Sequence, residues 1–349
     1  MDVRERVRVF CERFGLRCPI VQAPMAGACP PELAVAVAEA GGMGASGVLL
    51  DAPERIIEWV QQFRAGSLGA LQLNIWIPDA LRDDRDKVEA AAEFLGRFGA
   101  PGDPGGAAPV FAAQCEAMLE ASPTVVSSIM GVFEPDFVRR LHERDIAWFA
   151  CATTLDEALL AQDAGADAIV AQGMEAGGHR GSFDPEAAER AQVGLFALLP
   201  WFADHLRVPI IAAGGVGDGR GMAAALALGA SAVQVGTALL RTPEAAIDKD
   251  WSASLSDLAP EATVPTRAYS GRLGRAISTP YVRAWTEPHA PGPAPYPHQR
   301  RLVAQWRRGT TDGLDRVNQW AGQGAALATT EPAAALVTQM WRDASTILA

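Results

Sequence analysis

Lysine is nearly missing from this chain. Lys87 and Lys249 are the only two in 349 residues, although Lys and Arg together number 30. Acidic residues number 41, and the formal net charge is −11. No basic stripe exists to follow a phosphate backbone, which argues against nucleic-acid binding. Cysteine is also sparse. The five at positions 11, 18, 29, 115 and 151 are odd in number and form no C-x-x-C. They fit buried thiols in a reducing cytoplasm better than disulfides or zinc. Only Cys151 falls near the end of a strand, where a thiolate nucleophile would sit. No apolar run approaches about 18 residues, so no membrane helix is expected. The opening MDVRERVRVFCERF is charged and has no apolar core, unlike a signal peptide.

Apolar runs of strand length, by contrast, are plentiful. They recur near 20–23, 44–49, 71–76, 125–130, 147–151, 168–171, 210–213 and 232–235. Helical patterns alternate with them, at 31–40, 54–64, 135–144, 155–164 and 220–228. Three junctions, EAGGMGASGV, DAGADAIV and ALGASAVQV, repeat one device: a helix stops at a glycine (Gly41, Gly165, Gly229) and an apolar strand follows at once. Such short links mark right-handed β/α winding around a buried parallel sheet. The fold expected is α/β, a (β/α)8 TIM barrel, with a doubly wound open sheet as the alternative. Residues 1–77 and 123–245 supply the barrel. Residues 78–122 form a helical insertion with patterns at 81–98 and 111–120. Residues 246–349 form a C-terminal extension near the barrel mouth. It includes EPHAPGPAPYPHQR, too proline-rich for regular structure, and then turns helical at 301–308 and 333–347.

Barrel chemistry sits at the C-terminal ends of the strands. Read in order, those ends carry Ala23-Pro24-Met25, Asn74, Ser127-Ser128-Ile129-Met130-Gly131, Ala152-Thr153, Gln172, Gly214-Gly215 and Gly236-Thr237. No lysine is placed for a Schiff base, and no cluster of carboxylates or histidines is placed for a metal. His142, His205, His289 and His298 fall in helical or tail segments. What remains is amide, hydroxyl and glycine, with one imidazole, His179, in the loop AQGMEAGGHRG after strand six. Such a mouth supplies hydrogen bonds and shape, and leaves the reactive electronics to an organic cofactor. The glycines after strands seven and eight, followed by a helix N-terminus at Gly217-Asp218, suit a phosphate. Glu175 and Arg180 read as braces of the strand-six loop. Arg272 and Arg275 either bind a phosphate or tie the C-terminal segment down.

PIVQAPMAG (19–27), ELAVAVAEAGGMGASG (32–47), LNIW (73–76), AQGMEAGGHRG (171–181), VPIIAAGGVGDGRGMAAALALGASAVQVGT (208–237) and SGRLGRAI (270–277) resemble the nitronate monooxygenase family, with WAGQG (320–324) as a further echo. The resemblance implies a flavin enzyme on a β/α barrel. FMN would contact Ala23, Pro24 and Met25, with Asn74 and Gln172 near the ring and Gly177 and Gly178 in the strand-six loop. Gly214, Gly215, Gln234, Val235, Gly236 and Thr237 would hold its phosphate end. The family's catalytic base falls on His179. The implied reaction takes a small-molecule nitronate or nitroalkane and O2 to a carbonyl compound and nitrite. A homodimer is compatible with the resemblance. Where relatives carry an S-F-H-F-G-like run after strand four, this chain has Ser127-Ser128-Ile129-Met130-Gly131, so an aromatic and a histidine of the substrate pocket are replaced. An NAD(P)H:quinone reductase on the same barrel is the alternative function. A barrel that binds a phosphate ligand without redox turnover is another.

Overall fold

The computed structural model describes residues 1–80, 84–105, 107–309 and 317–349. Eight parallel strands carry the architecture: β1 (Ile20–Gln22), β2 (Gly44–Gly47), β3 (Leu71–Trp76), β4 (Val125–Ile129), β5 (Ala147–Ala152), β6 (Ala168–Gln172), β8 (Ile210–Ala213) and β9 (Ala232–Val235). Their order is β1-β9-β8-β6-β5-β4-β3-β2, and a parallel bridge between Val21 and Met43 joins the two ends. The sheet therefore closes as a (β/α)8 barrel, and the open-sheet alternative falls. The glycine junctions work as expected. Gly41, Gly165 and Gly229 have φ of +102°, +101° and +118°, which a side chain would resist.

Two apolar layers hold the barrel. Val21, Met43, Val125, Phe149, Val170, Ile211 and Ala232 fill its interior. A second layer lies between the strands and the surrounding helices α2 (Pro31–Glu39), α3 (Pro53–Gly66), α5 (Phe111–Ala121), α6 (Pro135–His142), α7 (Leu155–Asp163), α8 (Leu195–His205) and α9 (Gly219–Ala227). The charged N-terminus, which sequence reading left without a role, forms helix α1 (Val3–Phe14). It turns Phe10 and Phe14 into the interior layer, where both rings meet Phe149, at 6.3 and 5.0 Å between centroids.

The two additions meet each other. Helix α4 (Arg85–Gly96) covers most of the first expected helix, whose residues 81–83 lie outside the described residues. Its Ala91, Phe94 and Leu95 join Tyr269, Tyr281, Trp285 and Trp306 in a separate apolar cluster, which α11 (Pro280–Ala284) and α12 (His298–Arg307) help to build. Tyr269, Tyr281 and Trp306 stack in sequence at 5.3 and 5.4 Å. Beyond α10 (Lys249–Ser254), the extension forms β10 (Thr263–Thr266) and β11 (Gly274–Ile277), and it ends in α13 (Ala333–Ile347), which packs on α9. The small sheet of the extension has no counterpart in the expected elements. Gly178 and His179 form a two-residue strand, β7, in a three-stranded sheet β10-β11-β7.

Phe10 is fully buried. Phe10→Ala should cost about 3–5 kcal/mol, read as a lower urea midpoint at unchanged slope. A loss under about 1 kcal/mol would show that α1 does not close the barrel floor.

Candidate active site

A cavity of about 290 Å³ opens at the C-terminal ends of the strands. Alternation along β3 points Gln72, Asn74 and Trp76 to the same side, and all three line it. Ala23, Pro24, Met25, Gln172, Gly177, Gly178, His179, Gly214, Gly215, Gln234, Gly236 and Thr237 line it as well. The cavity thus brings together His179 and every residue expected at the flavin except Val235. That side chain lies in the outer apolar layer, and its carbonyl accepts the Ala23 N–H at 2.8 Å.

The strand-six loop is tightly held for all its glycine. Gln172 donates to the His179 carbonyl at 2.9 Å and accepts from the Gly181 N–H at 2.8 Å. Its amide is therefore spent largely on the loop. Arg180 donates to the carbonyls of Gln172 and Ala191 at 2.6 and 2.8 Å, and Glu175 accepts from the Leu195 N–H at 3.0 Å. Both act as braces through the backbone. Glu157 adds a third tie, accepting the Phe183 N–H at 2.7 Å. Across the loop, β7 pairs with β11, with His179 opposite Gly274 and Gly178 opposite Arg275. Residue 177 must be glycine, because a Cβ there would collide with the backbone of Ala321 and Gly322.

His179 is half-buried between Trp76 and Trp320, with ring centroids at 4.4 and 4.5 Å. Its Nε2 lies 2.7 Å from Ser270 Oγ. That hydroxyl also faces the Arg272 N–H at 3.2 Å and the Arg272 carbonyl at 3.3 Å. A serine hydroxyl has one proton and two lone pairs. Only one arrangement satisfies all three neighbours: Oγ donates to the carbonyl and accepts from both the Arg272 N–H and an Nε2–H. Nδ1 is then left with its lone pair. Burial pushes the imidazole pKa down to about 3, and the charges of Arg272 and Arg300 push the same way. The ring is neutral at pH 7, so an imidazolium is unavailable there as an anion holder.

The remaining polar groups divide by commitment. Asn74 donates to Ser127 Oγ at 2.9 Å. Ser128 accepts from Trp148 Nε1 at 3.0 Å and donates to the Gly131 carbonyl at 3.1 Å. The departure after strand four is thus structural in part: its serines brace neighbours, and Ile129 sits against Gly181. Arg272 pairs with Asp79 through Nε at 2.7 Å, and Arg275 donates to the carbonyls of Met174 and Thr263 at 2.8 and 3.0 Å. Both tie the extension down, and neither lines the main cavity. Cys151 lines it, but burial pushes its thiol up to about 12, which makes it a poor nucleophile.

Amide oxygens of the cavity lining include some left without a partner. Gln72 Oε1 and Gln234 Oε1 are buried without a hydrogen bond and line the cavity. The N–H groups of Gly215, Gly236 and Thr237 donate to no acceptor among the described residues. At the α9 N-terminus, Asp218 accepts the Gly221 N–H at 2.9 Å. Free backbone donors at one end and amide acceptors along one side suit a flat heterocycle carrying a phosphate. Sequence reading missed Gln72, Trp76, Ser270, Arg300 and Trp320 as site residues. The period-two pattern of QLNIW could have supplied the first two.

The family model described as nitronate monooxygenase matches residues 9–343. A nitronate monooxygenase of Paraburkholderia phytofirmans is 37% identical, over 96% of this chain and 94% of that one. The structure of nitroalkane oxidase from Streptomyces ansochromogenes superposes with a TM-score of 0.89 at 32% identity, covering 97% of this chain and 99% of that one. FabK from Thermotoga maritima superposes with a TM-score of 0.76 at 26% identity, covering 98% and 96%.

A histidine kept neutral by the fold links stability to pH. Its folded pKa of about 3 lies below the ordinary 6.5. The unfolded chain takes the proton first, so this contribution is present above pH 6.5 and is lost as pH falls toward 3. His179→Gln should therefore lose less stability than the parent between pH 7 and pH 5, measured by urea midpoints. Equal losses in the two proteins would mean that His179 is not shielded.

Proposed function

The chain belongs to the nitronate monooxygenase family, and from that premise we propose that it oxidises nitronates and nitroalkanes with O2, giving a carbonyl compound and nitrite, with FMN in the barrel mouth. It is an oxidoreductase, in a family of flavin enzymes. The observation that carries the reading is His179, a neutral imidazole fixed in one tautomer against a cavity with orphaned amide acceptors. Simple ligand binding requires no such group.

Gln72 and Gln234 would accept from the polar edge of the flavin, and the free N–H groups of Gly215, Gly236 and Thr237 would hold its phosphate. No lysine or carboxylate lines the cavity among the described residues, so the phosphate charge rests on backbone amides. The bound flavin supplies the electron acceptor for the substrate and the route to O2.

The chain's own part is to hold a carbon acid and take its proton. His179 Nδ1 takes the α-proton of a nitroalkane, while Nε2–H stays on Ser270 and Ser270 on the Arg272 carbonyl. The lowered pKa of His179 is not a barrier to this step. Proton transfer creates an imidazolium beside a nitronate anion, and the opposite charge raises the imidazolium's pKa. Trp76 and Trp320 flank the ring on either side. A nitronate arrives already deprotonated and needs no base.

His179→Asn should lower nitroalkane turnover by about 10²–10⁴-fold and nitronate turnover far less. Equal losses would remove the proton-abstraction role. Ser270→Ala should lower nitroalkane turnover roughly 10-fold, again with nitronate largely spared, and Ser270→Thr should restore most of it. A loss common to both substrates would reduce Ser270 to a structural residue. The purified protein should be yellow, and anaerobic ethyl nitronate should bleach it. If NADH bleaches it rapidly and nitronate does not, the quinone-reductase reading replaces this one.

A further inference from the structure

The site described so far has a base but no holder for an anion. His179 is neutral, and among the described residues the cavity lining contains one cation, Arg300. We propose that Arg300 is the anion anchor of the substrate chamber, binding the nitronate oxygens through its guanidinium, so that the enzyme favours substrate in its anionic form. This rests on the reading of the site as a nitronate chamber.

Four observations converge on Arg300. It stands in the first turn of α12, and it lines the same cavity as His179, Trp76 and Trp320. Its Nη1 is buried with no hydrogen-bond partner. Its guanidinium lies 5.7 Å from the ring centre of Tyr296, which in turn lies 5.5 Å from Trp76, so aromatic contacts fix its place without neutralising it. Trp76 in turn meets the His179 ring at 4.4 Å, so this chain of contacts places Arg300 on the reacting side of the cavity.

The neighbouring cation is already spent. Arg272 is paired through both Nε and Nη2 with Asp79 and also donates to the Ser182 carbonyl at 2.6 Å. Arg300 has no ion pair among the described residues, and no carboxylate lines the cavity there. A buried N–H of a guanidinium left unpaired is unfavourable, and a planar oxyanion is the group whose geometry matches it. A nitronate carries its negative charge on two coplanar oxygens. A neutral nitroalkane offers the same oxygens without the net charge, and so gains less. The anchor comes from the C-terminal extension, while the proposed base comes from the barrel loop. The chamber is complete only where the two meet.

The test uses the holoenzyme with Arg300→Gln and Arg300→Lys, checked for parent-like thermal midpoints. Nitrate serves as an inert planar oxyanion, and its binding is read from the bound flavin's absorbance and from tryptophan fluorescence. Arg300→Gln should weaken nitrate binding at least 10-fold. It should also raise the nitronate KM at least 10-fold, with kcat within about 3-fold and the nitroalkane KM within about 2-fold. Arg300→Lys should recover part of the loss, since it restores charge without the planar fork. Nitrate binding and nitronate KM unchanged within 2-fold in Arg300→Gln would overturn the proposal. So would an equal rise in KM for nitroalkane and nitronate, which would indicate a collapsed chamber. A parent enzyme that turns over no nitronate would instead overturn the reading of the reaction. The nitrate measurement would still decide whether Arg300 holds an oxyanion.

Discussion

His179 reaches the barrel mouth because two residues of backbone, Gly178 and His179, are held as a strand against Gly274 and Arg275. Much else at the site depends on this short pairing. It brings Ser270, 91 residues away in sequence, to the far side of the imidazole. It presses the extension onto the loop closely enough that Gly177 and Gly274 have no room for a side chain; a Cβ on Gly274 would lie 2.7 Å from Trp320. The barrel provides the floor of the cavity, and the extension positions the proposed base above it. A loop rich in glycine would otherwise spend entropy to hold a catalytic ring still. Here Gln172, Arg180, Glu175 and Glu157 each remove part of that freedom through bonds to backbone.

Electrostatics then divide the labour. Of the basic side chains at this end of the barrel, Arg272 is neutralised by Asp79, and Arg180 and Arg275 are held by carbonyls. Their work is architectural. The local positive field and burial together keep His179 unprotonated. That is the state a base needs before substrate arrives, and the state that leaves anion binding to some other group. Acidic side chains are absent from the cavity lining among the described residues, although the chain carries an excess of them. A lining free of carboxylates suits a site that must hold a phosphate and accept an anionic substrate.

The barrel was legible in the sequence because local signals repeat. Eight apolar runs stand at regular spacing, and three helices end at glycines that do take positive φ. Asn74, Gln172, Gly214, Gly215 and Gly236 were legible for the same reason: each sits in or just after a barrel strand whose position was already known. Ser270, Arg300 and Trp320 were not legible. They come from a segment without barrel periodicity, and only tertiary packing brings them to the mouth. A two-residue strand such as β7 has no alternation to detect. At the helix N-terminus after Gly217, Asp218 accepts the Gly221 N–H, while the N–H groups of Gly215, Gly236 and Thr237 in the adjoining loops donate to no acceptor among the described residues.

The central claim is that His179 is a neutral imidazole held with its proton on Nε2 and its lone pair on Nδ1. The ¹⁵N chemical shifts of the histidine ring nitrogens in ¹⁵N-histidine-labelled holoenzyme, assigned by comparison with His179→Gln, report both properties. From pH 8 to pH 5 the account predicts one neutral ring that does not titrate, with Nε2 protonated and Nδ1 bare. Titration near the ordinary value of about 6.5, or a proton on Nδ1, would contradict it.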